Sequence, residues 1–255
     1  MINLNQKTKD RLIKGIKKYK PIIKKARDND INESDTVTII TDILCNVFGF
    51  DKYEEITSEY AIKKTYCDLA IKLDNKIKYL IECKAAGLDL KDEHVRQAIS
   101  YCANSGIEWV VLTNAVEWRI YRVVFSQPVE KVLVYSFNFA ELQGKDQKSL
   151  ENLYYLSKES FAKNSKANLD DLFSQKQIVN RYIIGNILLT EASISSLRKY
   201  AKKLYPDIAI SDEELGNLLR TEIVKREIIE GDNAEDAHKK VVKAVRALER
   251  KAKTK

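Results

Sequence analysis

The sequence predicts an α/β domain followed by a smaller, all-helical region. Three observations carry this. Strand-length apolar segments are gathered between residues 67 and 136, interleaved with helical periodicities. Beyond about residue 145 the periodicity is helical alone. With 255 residues, 44% of them hydrophobic, the chain is long enough and apolar enough to bury a core. The expected division is 1–145 for the α/β domain, including a basic N-terminal helix, and 146–255 for the helical region.

The elements follow in order. Residues 7 to 27 hold ten Lys or Arg and one acid, while Leu12, Ile13, Ile16, Tyr19 and Ile23 recur at helical spacing. A basic amphipathic helix is expected, with Pro21 kinking or ending it. Its charged face is either simply solvated or set to contact phosphates. Residues 33 to 48 predict a second helix, with Val37, Ile40, Leu44 and Val47 as its buried stripe and Gly49 as its stop.

Strands are then expected over Cys67–Leu73, with a turn near Asn75, and over Ile77–Lys84. A helix at 91 to 104 precedes strands at Trp109–Thr113 and Trp118–Val124, joined by the turn Asn114–Glu117, and a last strand at 130 to 136. Both tryptophans read as strand residues packing a core. Asn164–Asn168 reads as a linker, Ser211 to Glu214 as a capping box, and Asp232 or Asn233 as the cap of the last helix. That helix ends in a basic tail, with eight Lys or Arg and one Glu over 239 to 255. Ile183, Ile184, Ile187 and Leu188 read as core of the helical region.

Composition narrows the function classes. A net charge of +7 suits a polyanionic partner without specifying one. The four cysteines, Cys45, Cys67, Cys83 and Cys102, form no CxxC pair, and only His94 and His238 are present, which argues against zinc. Such cysteines behave as small buried hydrophobes in a reducing compartment. No run approaches a membrane span, and the N-terminus is too polar for a secretory signal, so the cytoplasm and no membrane contact are expected.

The chemistry centres on Glu82-Cys83-Lys84. Side chains alternate along a strand, so Glu82 and Lys84 share a face and Cys83 takes the other. Burying either charge unpaired beside the apolar run Tyr79–Ile81 would be costly. A tight hairpin brings Asp68, fourteen residues upstream of Glu82, close to it. Two carboxylates with the Cys83 main-chain carbonyl form a hard oxygen site of the kind Mg²⁺ or Mn²⁺ prefers. Lys84 would orient a water or neutralise charge on a phosphate. For the bare triplet, the competing reading is a salt bridge on a solvated sheet face. Gln97 and Tyr101 share a helix face, where they can touch a phosphate or brace the lysine. Glu33, four residues before Val37 and seven before Ile40, places another acid on the buried stripe near the start of its helix, available to the metal or its waters. His94 reads as a surface or supporting residue rather than a general base.

Taken together, the run Asn32-Glu33, Asp68-Leu-Ala, Glu82-Cys-Lys84, Gln97-Ala-Ile-Ser-Tyr101, Trp109-Val-Val-Leu-Thr-Asn114 and Trp118-Arg-Ile-Tyr121 resembles the N-terminal nuclease domain of type I restriction enzyme R subunits, within the PD-(D/E)xK nucleases. The resemblance spans roughly residues 30 to 140. It implies a restriction-endonuclease-like core, a central mixed sheet flanked by helices. It further implies a Mg²⁺-dependent DNA endonuclease with Asp68 and Glu82 as metal ligands, Lys84 as the catalytic lysine, Gln97 and Tyr101 as the QxxxY pair and Glu33 as the first-helix acid. The chain departs from a full R subunit in having no G-x-x-x-x-G-K-[ST] phosphate loop, so ATP-driven translocation is not expected from this chain, and restriction in the type I sense would need a partner supplying the motor and specificity.

Three readings therefore stand. The first is a metal-dependent DNA endonuclease, alone or guided by a partner. The second is a nucleic-acid-binding module that keeps the nuclease fold without cutting. The third is a structural or regulatory protein, a homodimer through its C-terminal helices.

Overall fold

The computed structural model describes residues 2, 4–62, 65–162, 168–178 and 180–253. The first basic segment forms helix α1, Gln6–Asp28, opened by Asn5, whose side chain accepts the Thr8 N–H at 2.8 Å. Leu12, Ile16, Tyr19 and Ile23 are buried, and most of the lysines face outward. Pro21 does not end the helix, which runs seven residues further. A proline forfeits one intrahelical bond. Here the buried Tyr19 and Ile23 on either side hold the helix through that loss. Helix α2, Glu33–Asn46, is capped by Asn32, which accepts the Asp35 N–H at 2.9 Å. Its buried face is Thr36, Ile40, Ile43 and Leu44, whereas Val37 is only half-buried. Gly49 turns the chain out of it with φ +85°.

The sheet contains β1 (Ile56–Ile62), β2 (Thr65–Leu73), β3 (Lys76–Cys83), β4 (Trp109–Thr113), β5 (Glu117–Val124) and β6 (Glu130–Asn138), in that spatial order. Sequence patterning did not indicate β1, an edge strand whose Thr57, Ser58 and Glu59 interrupt any apolar signal. Asp74 and Asn75 turn β2 into β3 with φ of 52° and 58°, the geometry of a tight hairpin. Among the described strands only β3 and β4 run parallel. A parallel pair needs a crossover, and α3 (Arg96–Ser105) supplies it after a single 3₁₀ turn at Asp92–Val95. The expected helix at 91 to 104 is thus two pieces.

The two faces of the sheet bury different helices. Ile81, Cys83, Val111 and Trp118 share a core with Ile40 and Leu44 of α2 and with the α1 stripe. Leu80, Val110 and Leu112 share the other with Ala98 and Cys102 of α3. The alternation of strand side chains assigns residues 80 and 81 to opposite sides.

The first compact unit runs past the expected boundary at 145 and ends at Phe173. The reason is packing: α4 (Gln147–Tyr154) and the turn after it place Leu150, Leu153 and Leu156 in the α1/α2 core. The second unit, Ser174–Lys255, is helical. After α5 (Leu169–Ile178) come α6 (Arg181–Leu188), α7 (Glu191–Leu204), α8 (Asp212–Leu218), α9 (Arg226–Ile229) and α10 (Asp232–Lys253). Ser211 and Glu214 form the expected capping box of α8. Asp232 and Asn233 lie inside the first turn of α10 instead of capping it, because Gly231, at φ +90°, has already turned the chain. The core of this unit is small, with Ile183, Ala237 and Val241 at its centre. Ile184 and Ile187, expected inside, are 49% and 43% exposed, because α6 packs on α10 through one narrow face. The linker expected at 164–168 lies outside the described residues except for Asn168. Among the described residues no helix is long and apolar enough to cross a membrane.

Candidate active site

Pairing between β2 and β3 ends at Leu69 and Ile81, one residue short of Asp68 and Glu82. Past that point the Asp68 side chain takes over from the ladder, its Oδ2 accepting the Cys83 N–H at 2.7 Å. On its other side β3 stays joined to β4, and the Lys84 N–H still donates to the Thr113 carbonyl at 2.8 Å. The end of β3 is therefore held from both flanks while its side chains project from the sheet edge.

Lys84 gathers the oxygens there. Its Nζ donates to the Cys83 carbonyl at 2.7 Å, to Glu82 Oε1 at 2.9 Å and to Glu33 Oε2 at 3.4 Å. Glu82 is nearly buried, Lys84 largely so, and Glu33 is 49% exposed. Glu33 thus reaches the cluster from the rim of α2, not from a buried stripe. Asp68 is close enough to act electrostatically on both Glu82 and Lys84.

The charges have the expected consequences. Burial pushes the Glu82 carboxyl up from its ordinary value; the Lys84 bond works against this and the Asp68 charge adds to it. Burial alone would lower the Lys84 ammonium, but Glu82, Glu33 and Asp68 together hold it above its ordinary value. Burial, with the carboxylates of Glu82 and Asp68 next, drives the Cys67 thiol far up, and burial and Asp68 do the same to Cys83. Burial alone raises Cys102 to about 12. Each of these shifts disfavours the thiolate, the form in which a cysteine acts as nucleophile or ligand.

Gln97 and Tyr101 are hydrogen-bonded to each other across one turn of α3, with Tyr101 buried against the α3 side of the sheet. His94 caps its own 3₁₀ turn, Nδ1 accepting the Lys91 N–H at 3.1 Å. Two supporting residues were not legible as such. Thr36, fully buried on α2, accepts the Ala86 N–H at 3.1 Å, and Asn114 donates to the Leu88 carbonyl at 2.8 Å. Together they fix the loop that follows Lys84. The available signal for Thr36 was a polar residue on an otherwise apolar stripe. Gly87 lies in that loop, where a Cβ would overlap Asp30 Oδ1. A cleft of about 420 Å³ opens beside it, lined by Arg27, Ala86, Gly87, Asn114, Glu117 and Asn138 among others.

No curated protein and no solved structure matches the chain. Residues 38–134 match the family described as Type I restriction enzyme R protein N terminus. The matched span holds Asp68, Glu82, Lys84, Gln97 and Tyr101, and leaves α1 and Glu33 outside. Over those residues, the α/β part of this chain is similar to the N-terminal domain of type I restriction enzyme R proteins, the family that the order of its motifs implied.

Proposed function

We propose that the chain is a divalent-metal-dependent DNA endonuclease whose site is built from Asp68, Glu82, Lys84 and the Cys83 carbonyl, with Glu33, Gln97 and Tyr101 in support. The observation that carries the reading is the position of the Lys84 ammonium, which rests among a carbonyl and two carboxylates and next to a third. A cationic head held by oxygen alone marks a place that favours a hard cation, and the donor set suits Mg²⁺ or Mn²⁺. Asp68, Glu82 and the Cys83 carbonyl would hold the metal, with Glu33 reaching its waters. When bound, the metal would supply Lewis-acid polarisation of the scissile phosphate and a water of lowered pKa.

The chain's own groups supply the rest. Lys84, drawn toward the phosphate, would orient the attacking water or neutralise charge on the phosphoryl oxygens. Asp68 fixes the Cys83 backbone, and with it the direction of the carbonyl. Thr36 and Asn114 hold the loop that follows Lys84, beside the sheet edge. Gln97 and Tyr101 would touch a phosphate or brace the lysine.

The test is incubation of the purified chain with plasmid, linear and single-stranded DNA in Mg²⁺, Mn²⁺ or EDTA. Cutting is expected only with metal, and Lys84→Ala or Asp68→Ala should lower its rate by about a hundredfold or more. Clean protein that cuts no DNA under any of these conditions would refute the reading. A second reading is a DNA-binding module that does not cut. It is favoured by one observation: among the described residues no three His, Cys, Asp or Glu side chains form a ready metal cage. It predicts DNA binding indifferent to Glu82→Ala. The exposed Ile184 and Ile187 favour a protein partner on the helical unit, either a specificity subunit or a second copy of the chain.

A further inference from the structure

We infer that the outer edge of α1 is a docking track for the phosphate backbone of duplex DNA, leading to the Lys84 site. The inference rests on the nuclease reading and adds where the substrate lies. An α-helix repeats every 3.6 residues, so Lys7, Lys14, Lys18 and Lys25 stand on one line, spanning about 27 Å, or about eight base pairs of duplex rise. All four are exposed or face outward from the buried stripe.

Their charges are uncommitted. Of the α1 cations, Arg11 is spent on Glu159 and Lys20 on the Leu142 carbonyl. Among the described residues, none of Lys7, Lys14, Lys17, Lys18, Lys24 and Lys25 has a carboxylate within 4.0 Å; Lys18 lies only over the Tyr19 ring, at 5.0 Å. A solvated helix face ordinarily interleaves acids with its bases, and this one has Asp10 and Asp28 alone. Four unpaired ammonium groups in a row complement a row of phosphates, each releasing a counterion on contact.

The helix that carries the row ends beside the site, although the row itself faces away from the buried stripe. At the C-terminal end of α1, Arg27 lines the cleft with Ala86 and Gly87, two and three residues after Lys84. Asp30 packs on Gly87, and Glu33 reaches Lys84 itself. A duplex held along α1 would thus end close to the loop that follows Lys84.

The experiment measures binding and not cutting. Fluorescence anisotropy of a labelled 20-base-pair duplex (a length chosen to exceed the roughly eight base pairs of the track) is followed in EDTA across a salt series. The full chain is compared with the combined Lys7→Gln, Lys14→Gln, Lys18→Gln and Lys25→Gln variant. The control is the combined Lys240→Gln, Lys243→Gln and Arg246→Gln variant in α10. Expected is at least tenfold weaker binding by the α1 variant, with a log–log salt slope shallower by about 3 to 4, since each phosphate contact contributes about 0.9. The α10 variant should bind as the unaltered chain does. Unchanged affinity and slope in the α1 variant would overturn the assignment, as would a loss confined to the α10 variant or tighter binding of duplex RNA than of duplex DNA. Circular dichroism melting of each variant excludes misfolding as the cause. Because EDTA removes cutting from the measurement, a chain that binds through α1 and never cleaves would refute the nuclease reading while leaving the track intact.

Discussion

At the scale of single residues, the pair Glu82 and Lys84 shows what a functional site costs the fold. Each is mostly buried, and each is tolerable because the other is 2.9 Å away. Removing one partner leaves an uncompensated charge. Lys84→Met is therefore expected to destabilise the chain by about 3 kcal/mol in urea unfolding, and the double variant with Glu82→Gln should recover much of that loss. Equal stability of Lys84→Met and the unaltered chain would mean that water reaches Glu82 freely. The glutamate–lysine relation was legible from period-2 alternation alone. The reach of Glu33 was legible only as an acid near a helix start, because its partner lies 51 residues away and nothing local signals it. The bond from the Cys83 N–H to Asp68 was not legible at all, since it depends on where strand pairing stops.

At the scale of elements, periodicity identified α1, α2, α3 and the strands from β2 to β6, because each carries an apolar pattern of its own period. It failed for β1, whose place is fixed by pairing with β2 and not by its own composition. At Pro21 the helix does not end, because tertiary packing holds it through a local breaker. Gly15 is a sharper case. It lies mid-helix in α1, where a glycine ordinarily costs about 1 kcal/mol relative to alanine. A Cβ there would meet the Val47 methyls at 2.7 and 2.8 Å, so the residue is what lets the chain after α2 approach α1. Gly15→Ala should thus lower stability by about 1–2 kcal/mol despite the better helix propensity. A rise in melting temperature would show instead that Val47 yields.

At the scale of the molecule, the expected division at 145 was misplaced for a reason no local pattern holds: the apolar face of α4 belongs to a core begun by α1. Arg11 seals that closure with two bonds of 2.7 Å to the Glu159 carboxylate, joining residues 148 apart. Burial alone would raise the Glu159 carboxyl, but Arg11 outweighs it and holds the group below its ordinary value. A carboxyl depressed by folding contributes stability above its unfolded value of about 4.3 and loses it as pH falls through the folded value. Glu159→Gln should therefore cost about 1–2 kcal/mol at pH 7. The gap from the unaltered chain should close in thermal melts below about pH 4. A gap independent of pH would assign the effect to packing.

The order of the sheet has a kinetic consequence. Because the strands lie side by side in the order they are made, most pairings join near neighbours, and such topologies assemble quickly. The sheet can form from β1 onward as the chain leaves the ribosome. The two polar anchors of α1 to the end of its unit, Leu142 and Glu159, emerge only after β6. The first helix synthesised can thus dock on α2 early, through Arg11 to Val47 and Tyr19 to Asp42, but gains its last bonds only after the sheet is complete, and through that interval its lysine row is carried by a helix that has not yet been fully sealed.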